Sequence, residues 1–350
     1  MLSWRQQFKR LDQLRRNHTQ ALSNGLFRVL GKSRHVLMRH LDRSEVKHIL
    51  VVRNNKRIGN MYFMLPFMRE LQRAYPDAKI DLMLLTEEQG RVFDNLGLNQ
   101  IVVSHFSFDT IGAFLKSMFK LRQTVYDLLI MPHSSASDTL ICAFLNARNK
   151  VSFYGPRNQH VFPQAFDIPT YNPHAALSAL ALLEALGHRC EGHDHSMVFS
   201  ETEQASGLAT VQGLKAQFPL CIAYFRGARG NKIIDDQIWL KIRQSFDETR
   251  PHQIKWVEIL SPDIRSTLVP DTATFESTDL RYLAAVLKYV DIFICADTGP
   301  LHLADAAGAA CVGLFTATHV AHYGCLNNRS LNVTNVQNFN AQTVLKQLGH

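Results

Sequence analysis

Short apolar runs of strand length alternate with longer stretches whose apolar residues recur at helical spacing along most of the chain. Lys47 to Val52 (KHILVV), Lys79 to Leu85 (KIDLMLL), Ile101 to Val103, Tyr126 to Met131 and Val151 to Tyr154 read as strands. Met61 to Tyr75, with Pro66 in its early turns, Ile111 to Leu121, Thr139 to Leu145 and Ala175 to Leu186 read as helices, the last ending at Gly187. A second series follows: helix Glu201 to Phe218, strand Leu220 to Phe225, helix Trp239 to Glu248, strand Ile254 to Leu260, helix Thr278 to Tyr289, and a closing helix from Ala341 to Leu348. Such alternation predicts an α/β chain of two parallel, doubly wound sheets with helices on both faces. We place the halves at residues 46–195 and 196–350, behind a basic helical extension over residues 1–45.

The most informative stretch is Asp291 to Phe315, DIFICADTGPLHLADAAGAACVGLF. An apolar run, Ile292 to Ala296, meets a polar break of Asp297, Thr298, Gly299 and Pro300. A small-residue helix, Leu301 to Gly308, and a second apolar run, Ala310 to Phe315, complete a strand–turn–helix–strand unit. Pro300 suits a first helical turn, where a missing N–H costs nothing. Thr298 and Gly299 then bring free backbone N–H groups and the positive helix end to the carboxyl edge of a sheet, an anion site for which phosphate is the usual guest. Asp297 can cap the helix, and His302 lies within reach of the same anion. An ordinary strand-to-helix turn is the alternative reading.

Two other loops follow first strands. Arg226 to Lys232 (RGARGNK) is basic and glycine-bearing, and with Thr298 and Gly299 it could clamp a diphosphate from two sides without a metal. Arg53 to Asn60 (RNNKRIGN) is also basic, but it is no GxGxxG fingerprint, so a dinucleotide-dependent dehydrogenase is not supported. The acidic residues Glu258 and Asp263 follow the Ile254 strand, where ribose hydroxyls could be held.

Composition narrows the partners. With 46% hydrophobic residues among 350, the chain can bury a sizeable core. The formal charge of +8 is concentrated near the start, where Arg5, Lys9, Arg10, Arg15, Arg16, Arg28, Lys32, Arg34, Arg39 and Arg43 face only Asp12 and Asp42. Leu2, Trp4, Phe8, Leu11 and Leu14 run between these charges at helical spacing, which suits an anionic membrane surface or packing on the main body. No nucleic-acid-reading motif accompanies the charge. The six cysteines, scattered without a CxxC pair, read as reduced, buried thiols. His188, His193 and His195 match no helical ligand pair and read as a solvated linker. No apolar run has the length of a membrane span, and Leu2 to Arg16 is too polar for a signal peptide. The expectation is a cytoplasmic chain peripherally associated with the inner membrane.

Three regions together resemble glycosyltransferase family 9, the lipopolysaccharide heptosyltransferases. They are RNNKRIGNMYFMLPFMRELQRAYPDAKIDLML (53–84), FRGARGNKIIDDQIW (225–239) and STDLRYLAAVLKYVDIFICADTGPLHLADAAGAACVGLF (277–315), the last similar to the family's D-[ST]-G-x-x-H-x-A-x-A pattern. The resemblance implies a GT-B fold: two Rossmann-like domains facing a cleft. It implies inverting, metal-independent and cofactor-free sugar transfer from a nucleotide-sugar donor, typically ADP-heptose, to a lipid-linked phosphorylated saccharide acceptor.

By match, Lys232 would meet the donor diphosphate; Arg226, in the same cationic loop, would bind the donor by its charge. Thr298 and Gly299 would donate backbone N–H groups to it, His302 would lie beside it, and Asp297 would order the loop. Arg53, Lys56 and Arg57 would suit the acceptor. The family's Ile-Gly-Asp is here Ile58, Gly59, Asn60. An amide cannot accept the acceptor's proton as the aspartate would. One reading is that Asn60 only positions the acceptor while another group, such as His133, serves as base. Alternatives are a non-catalytic GT-B binding protein and a sugar-nucleotide epimerase.

Overall fold

A computed structural model of the chain describes residues 35–37, 39–104, 110–169, 171–190 and 194–350. Most of the expected basic extension, residues 1–34, and His193 lie outside these.

The first sheet contains β1 (His48–Val52), β2 (Lys79–Leu84), β3 (Gln100–Val103), β4 (Tyr126–Met131), β5 (Ala147–Phe153) and β6 (Gln164–Phe166) in the order β3-β2-β1-β4-β5-β6, all parallel. The second contains β7 (Leu220–Phe225), β8 (Ile254–Ile259), β9 (Ala273–Phe275), β10 (Ile292–Ala296), β11 (Cys311–Leu314) and β12 (Leu331–Val333) in the order β12-β11-β10-β7-β8-β9, again all parallel. The central strands are apolar on both faces because helices cover both: Ile49 to Val52 and Ile292 to Cys295 are fully buried. Strand order reverses between β1 and β4 in one sheet and between β7 and β10 in the other. Ligands of open α/β sheets bind at such reversals, beyond the strands' carboxyl ends. The loops read from sequence as chemical leave those strands.

Several expectations needed adjustment. The edge strands β6, β9 and β12 have three residues each, too few to show a period, and were not read. The helix expected from Met61 to Tyr75 is two helices, Gly59–Tyr62 and Leu65–Ala74. Pro66 lacks an N–H and its ring crowds the carbonyl of Tyr62, so it opens a second helix instead of continuing the first. Phe63 sits at the break. The Ala175–Leu186 helix is regular only over Leu180–Ala185. Its beginning is drawn off by His174, whose Nδ1 accepts from the N–H of Ala176 at 3.1 Å.

The His188–Ser200 stretch is more than a solvated linker. His188 lies edge-on to Tyr75, His195 approaches Asp305 at 3.3 Å, and Met197 and Phe199 are buried.

The halves are stitched together by polar contacts. Arg281, 2% exposed, pairs with Glu203 and donates to the carbonyl of Arg91 at 2.8 Å. Arg91 in turn meets Asp279 at 2.9 Å. On the cleft side, His174 Nε2 donates to the carbonyl of Gly324 at 2.9 Å, and the N–H of Ala175 to that of His322 at 2.9 Å. Because Nδ1 of His174 accepts and Nε2 donates, the ring is a fixed neutral tautomer; burial likewise lowers its pKa.

Candidate active site

β10 ends at Ala296, and the helix Gly299–Ala307 starts three residues later with Thr298 extended at its N-cap and Pro300 in its first turn. Small residues let this helix lie close to its neighbours, and Gly308, at φ 87°, ends it in the left-handed region that glycine tolerates. The N–H of Gly299 stands at the first helical position, where no intrahelical acceptor exists.

Asp297 is the hub beneath that turn. It is 2% exposed. Oδ1 accepts from His302 Nε2 at 2.9 Å; Oδ2 accepts from Lys232 Nζ at 2.6 Å and from the Thr318 hydroxyl at 2.5 Å. Burial alone would raise its pKa. The hydrogen bonds from His302, Lys232 and Thr318 outweigh it and hold the carboxyl at about 2. Lys232 Nζ also donates to the Asp297 carbonyl at 3.0 Å. An ammonium has three donors, so a third is left over on a side chain that is 32% exposed. The loop of β7 and the loop of β10 therefore share one charged joint.

The remaining predicted donor residues divide. Arg226 is committed to protein at each nitrogen: Nε to Glu258 at 2.6 Å, Nη1 to Asp236 at 2.9 Å and Nη2 to the Ser266 carbonyl at 2.9 Å. Glu258 is fully buried, and it also accepts from the Tyr224 hydroxyl at 2.7 Å and the N–H of Leu268 at 2.8 Å. The sequence reading put both on the donor; in the structure both fix the loop from Ser261 to Leu268, while these bonds use only one N–H of each Arg226 Nη. Glu258 presents no exposed oxygen to a ribose, because its strand position turns it into the sheet's interior. Asp263 is exposed on that loop.

The first half meets this joint directly. A Cβ on Gly59 would stand 3.6 Å from the Cα of Gly299. The Phe63 ring lies 4.5 Å from that of His302, and it also neighbours His174 and Tyr323. Tyr323 places its ring 5.7 Å from Lys232 Nζ. Asn60 is half-buried in the same first helical turn. Lys56 and Arg57 are exposed on the loop before it, whereas Arg53 is 7% exposed. Arg53 faces Asp138 at 3.8 Å, and neither its Nε nor Asp138 Oδ2 has a hydrogen-bond partner. Burial raises the Asp138 pKa although Arg53 pulls it back. His133, half-buried at the end of β4, is pushed down to about 3 by burial and by the Arg53 charge, so it is neutral at pH 7.

Sequence reasoning missed Thr318, Tyr323 and Phe63. Thr318 follows β11 in a polar break, FTATH, the kind of signal used for the other loops. The two aromatics carry none: Phe63 joins the site through the packing of one half on the other, and Tyr323 through the folding of a distant segment back onto Lys232. Among the described residues no cluster of histidine, cysteine and acidic side chains could hold a metal. The arrangement can bind a polyanion between Lys232 and the helix N-terminus, with polar and cationic groups of the first half facing it.

Comparisons with known proteins agree with this geometry. The sequence model of glycosyltransferase family 9 (heptosyltransferase) matches residues 261–348. Lipopolysaccharide heptosyltransferase 3 of Escherichia coli (strain K12) is 26% identical over 282 residues, 74% of this chain and 80% of that protein. The crystal structure of a family 9 glycosyl transferase from Veillonella parvula superposes with a TM-score of 0.72 at 17% identity, over 89% of this chain and 90% of that one. E. coli heptosyltransferase WaaC with ADP superposes with a TM-score of 0.67 at 15% identity, over 86% and 99%. These matches establish the GT-B architecture. Taken with the family pattern on the β10 turn, they show a chain similar to glycosyltransferase family 9 over residues 261–348 and to a lipopolysaccharide heptosyltransferase over most of its length.

Proposed function

We propose that this enzyme moves a heptosyl group from ADP-heptose to a saccharide of the lipopolysaccharide core, with inversion and without a required metal. One observation carries the reading: the anion site of Lys232, Asp297 and Gly299 lies against the Gly59–Asn60 turn of the other half. Donor and acceptor would then meet where the two sheets' carboxyl ends converge.

In the transfer, an acceptor hydroxyl oxygen bonds to the anomeric carbon from the face opposite the nucleotide. The bond from that carbon to the diphosphate oxygen breaks, and the electron pair leaves with the nucleotide. The leaving group gains negative charge, which Lys232 and the N–H groups at the helix start are placed to stabilise without rearrangement. Asp297 keeps Lys232 aimed. Asn60 orients the hydroxyl, and His133, neutral at pH 7 although its depressed pKa makes it a weak base, is the candidate to take the proton. Arg53, Lys56 and Arg57 favour a phosphorylated acceptor. The acceptor's lipid places the enzyme at the cytoplasmic face of the inner membrane; among the described residues no helix is long and apolar enough to cross it.

Calorimetry with ADP-sugars and other nucleotide sugars tests the reading. Binding is expected for the parent, undiminished by EDTA, and strongly weakened in Lys232→Ala. No heat with any nucleotide sugar, or equal binding by parent and variant, would overturn it.

A further inference from the structure

The helix Ile111–Arg122 (IGAFLKSMFKLR) carries two apolar faces where a surface helix has one. Phe114, Met118 and Leu121 are buried against the first sheet, at the spacing of a core stripe. Leu115 and Phe119, one turn apart, point the other way and are 46% and 58% exposed. Beside them Lys116 and Lys120 form a parallel exposed ladder, and Arg122 follows with its guanidinium over the Phe144 ring at 4.5 Å. Phe119 lies edge-on to the same ring, 5.6 Å away. The helix contains no acidic residue. Exposing two large apolar side chains to water costs stability that the Phe119–Phe144 contact returns only in part.

We infer that this face is a docking surface for an anionic lipid leaflet, with Leu115 and Phe119 entering the interface and Lys116, Lys120 and Arg122 meeting lipid phosphates. The inference rests on the proposed function in that the acceptor is lipid-borne. Charge selects the occupant. A second copy pairing about a two-fold axis would set lysines against lysines, which repel. A negatively charged surface complements them, and the combination of aromatic, leucine and lysine is that of a helix lying in the headgroup plane. Position agrees as well. The helix leads down to the amino end of β4, so its first residues lie on the carboxyl edge of the sheet, the side on which the cleft opens. Lipid held there would present its saccharide toward Asn60.

The test is co-sedimentation of the full chain with vesicles of phosphatidylcholine alone and of phosphatidylcholine with phosphatidylglycerol in equal parts. Preference for the anionic vesicles is expected. The double variant Leu115→Asp, Phe119→Asp should lose about tenfold or more of that affinity, and Lys116→Gln, Lys120→Gln should lose its salt-sensitive part. Turnover on a water-soluble acceptor stripped of its acyl chains should be unchanged in both, so a failed surface is told apart from a failed transferase assignment. Undiminished vesicle binding by the Asp variant would overturn the inference. So would a parent dimer that this variant splits in sedimentation velocity, which would make the face a protein contact.

Discussion

The carboxyl edges of the two sheets treat charge in opposite ways. In the second half the central groups of the site are closely paired: Lys232, His302 and Thr318 converge on Asp297, and Arg226 locks onto Glu258. In the first half Arg53 and Asp138 stand 3.8 Å apart, each with a buried polar atom that makes no hydrogen bond. A donor diphosphate carries the same charges whatever sugar it bears, so a rigid, prepaired site serves it. The acceptor side retains unspent hydrogen-bonding capacity, which suits a ligand that must itself complete the site. On the proposed function, donor recognition would be built in by folding and acceptor recognition finished on binding.

The sharpest way to break this contrast is Lys232→Ala. It removes the cation from both the leaving group and Asp297, and kcat/KM should fall by roughly 100-fold or more, with Lys232→Arg recovering only part. Asp297→Asn should cost about 10- to 100-fold in turnover and ~2 kcal/mol in urea unfolding at pH 7. Its folded pKa is depressed, so the stability it adds is present above the unfolded value and lost as pH falls toward about 2. The gap between parent and variant should therefore close below about pH 4.

Arg53→Ala should show a loss that also fades on acidification, but for a different reason. It strands Asp138, whose raised pKa makes the charged form the unfavourable one. The loss, about 2–3 kcal/mol at pH 7, should shrink on acidification and grow as pH rises through the Asp138 titration. Asn60→Ala should lower turnover about tenfold while leaving donor affinity unchanged, and Asn60→Asp should not fall below the parent. The smallest effect is expected for Gly59→Ala, because its new methyl meets Gly299 at ordinary contact distance; melting should move by no more than ~1 kcal/mol.

How much of this was legible beforehand follows from where each signal resides. The β10 turn was readable because strand, Gly-Pro break and helix are consecutive, and the backbone geometry they impose is the site. Lys232 and Asp297 were both named, but their joining was not, since 65 residues separate them and only the sheet order brings β7 beside β10. Glu258 misled because charge after a strand looks the same whether it faces ligand or a buried partner. The Arg53–Asp138 pair was half visible: the arginine sits in a conspicuous basic loop, while Asp138 lies in a helix's first turn and reads as a cap. Burial, which decides both cases, is a property of the folded whole.

The interrupted helix at Phe63 has an effect beyond its own half. Its ring rests on the imidazole that Asp297 grips, so the spacing between the two sheets is felt at the phosphate-binding turn. Any swing that parts the halves strips that ring from His302 and slackens the hold on the nucleotide. Opening for departure and loosening of the spent donor would then be one movement.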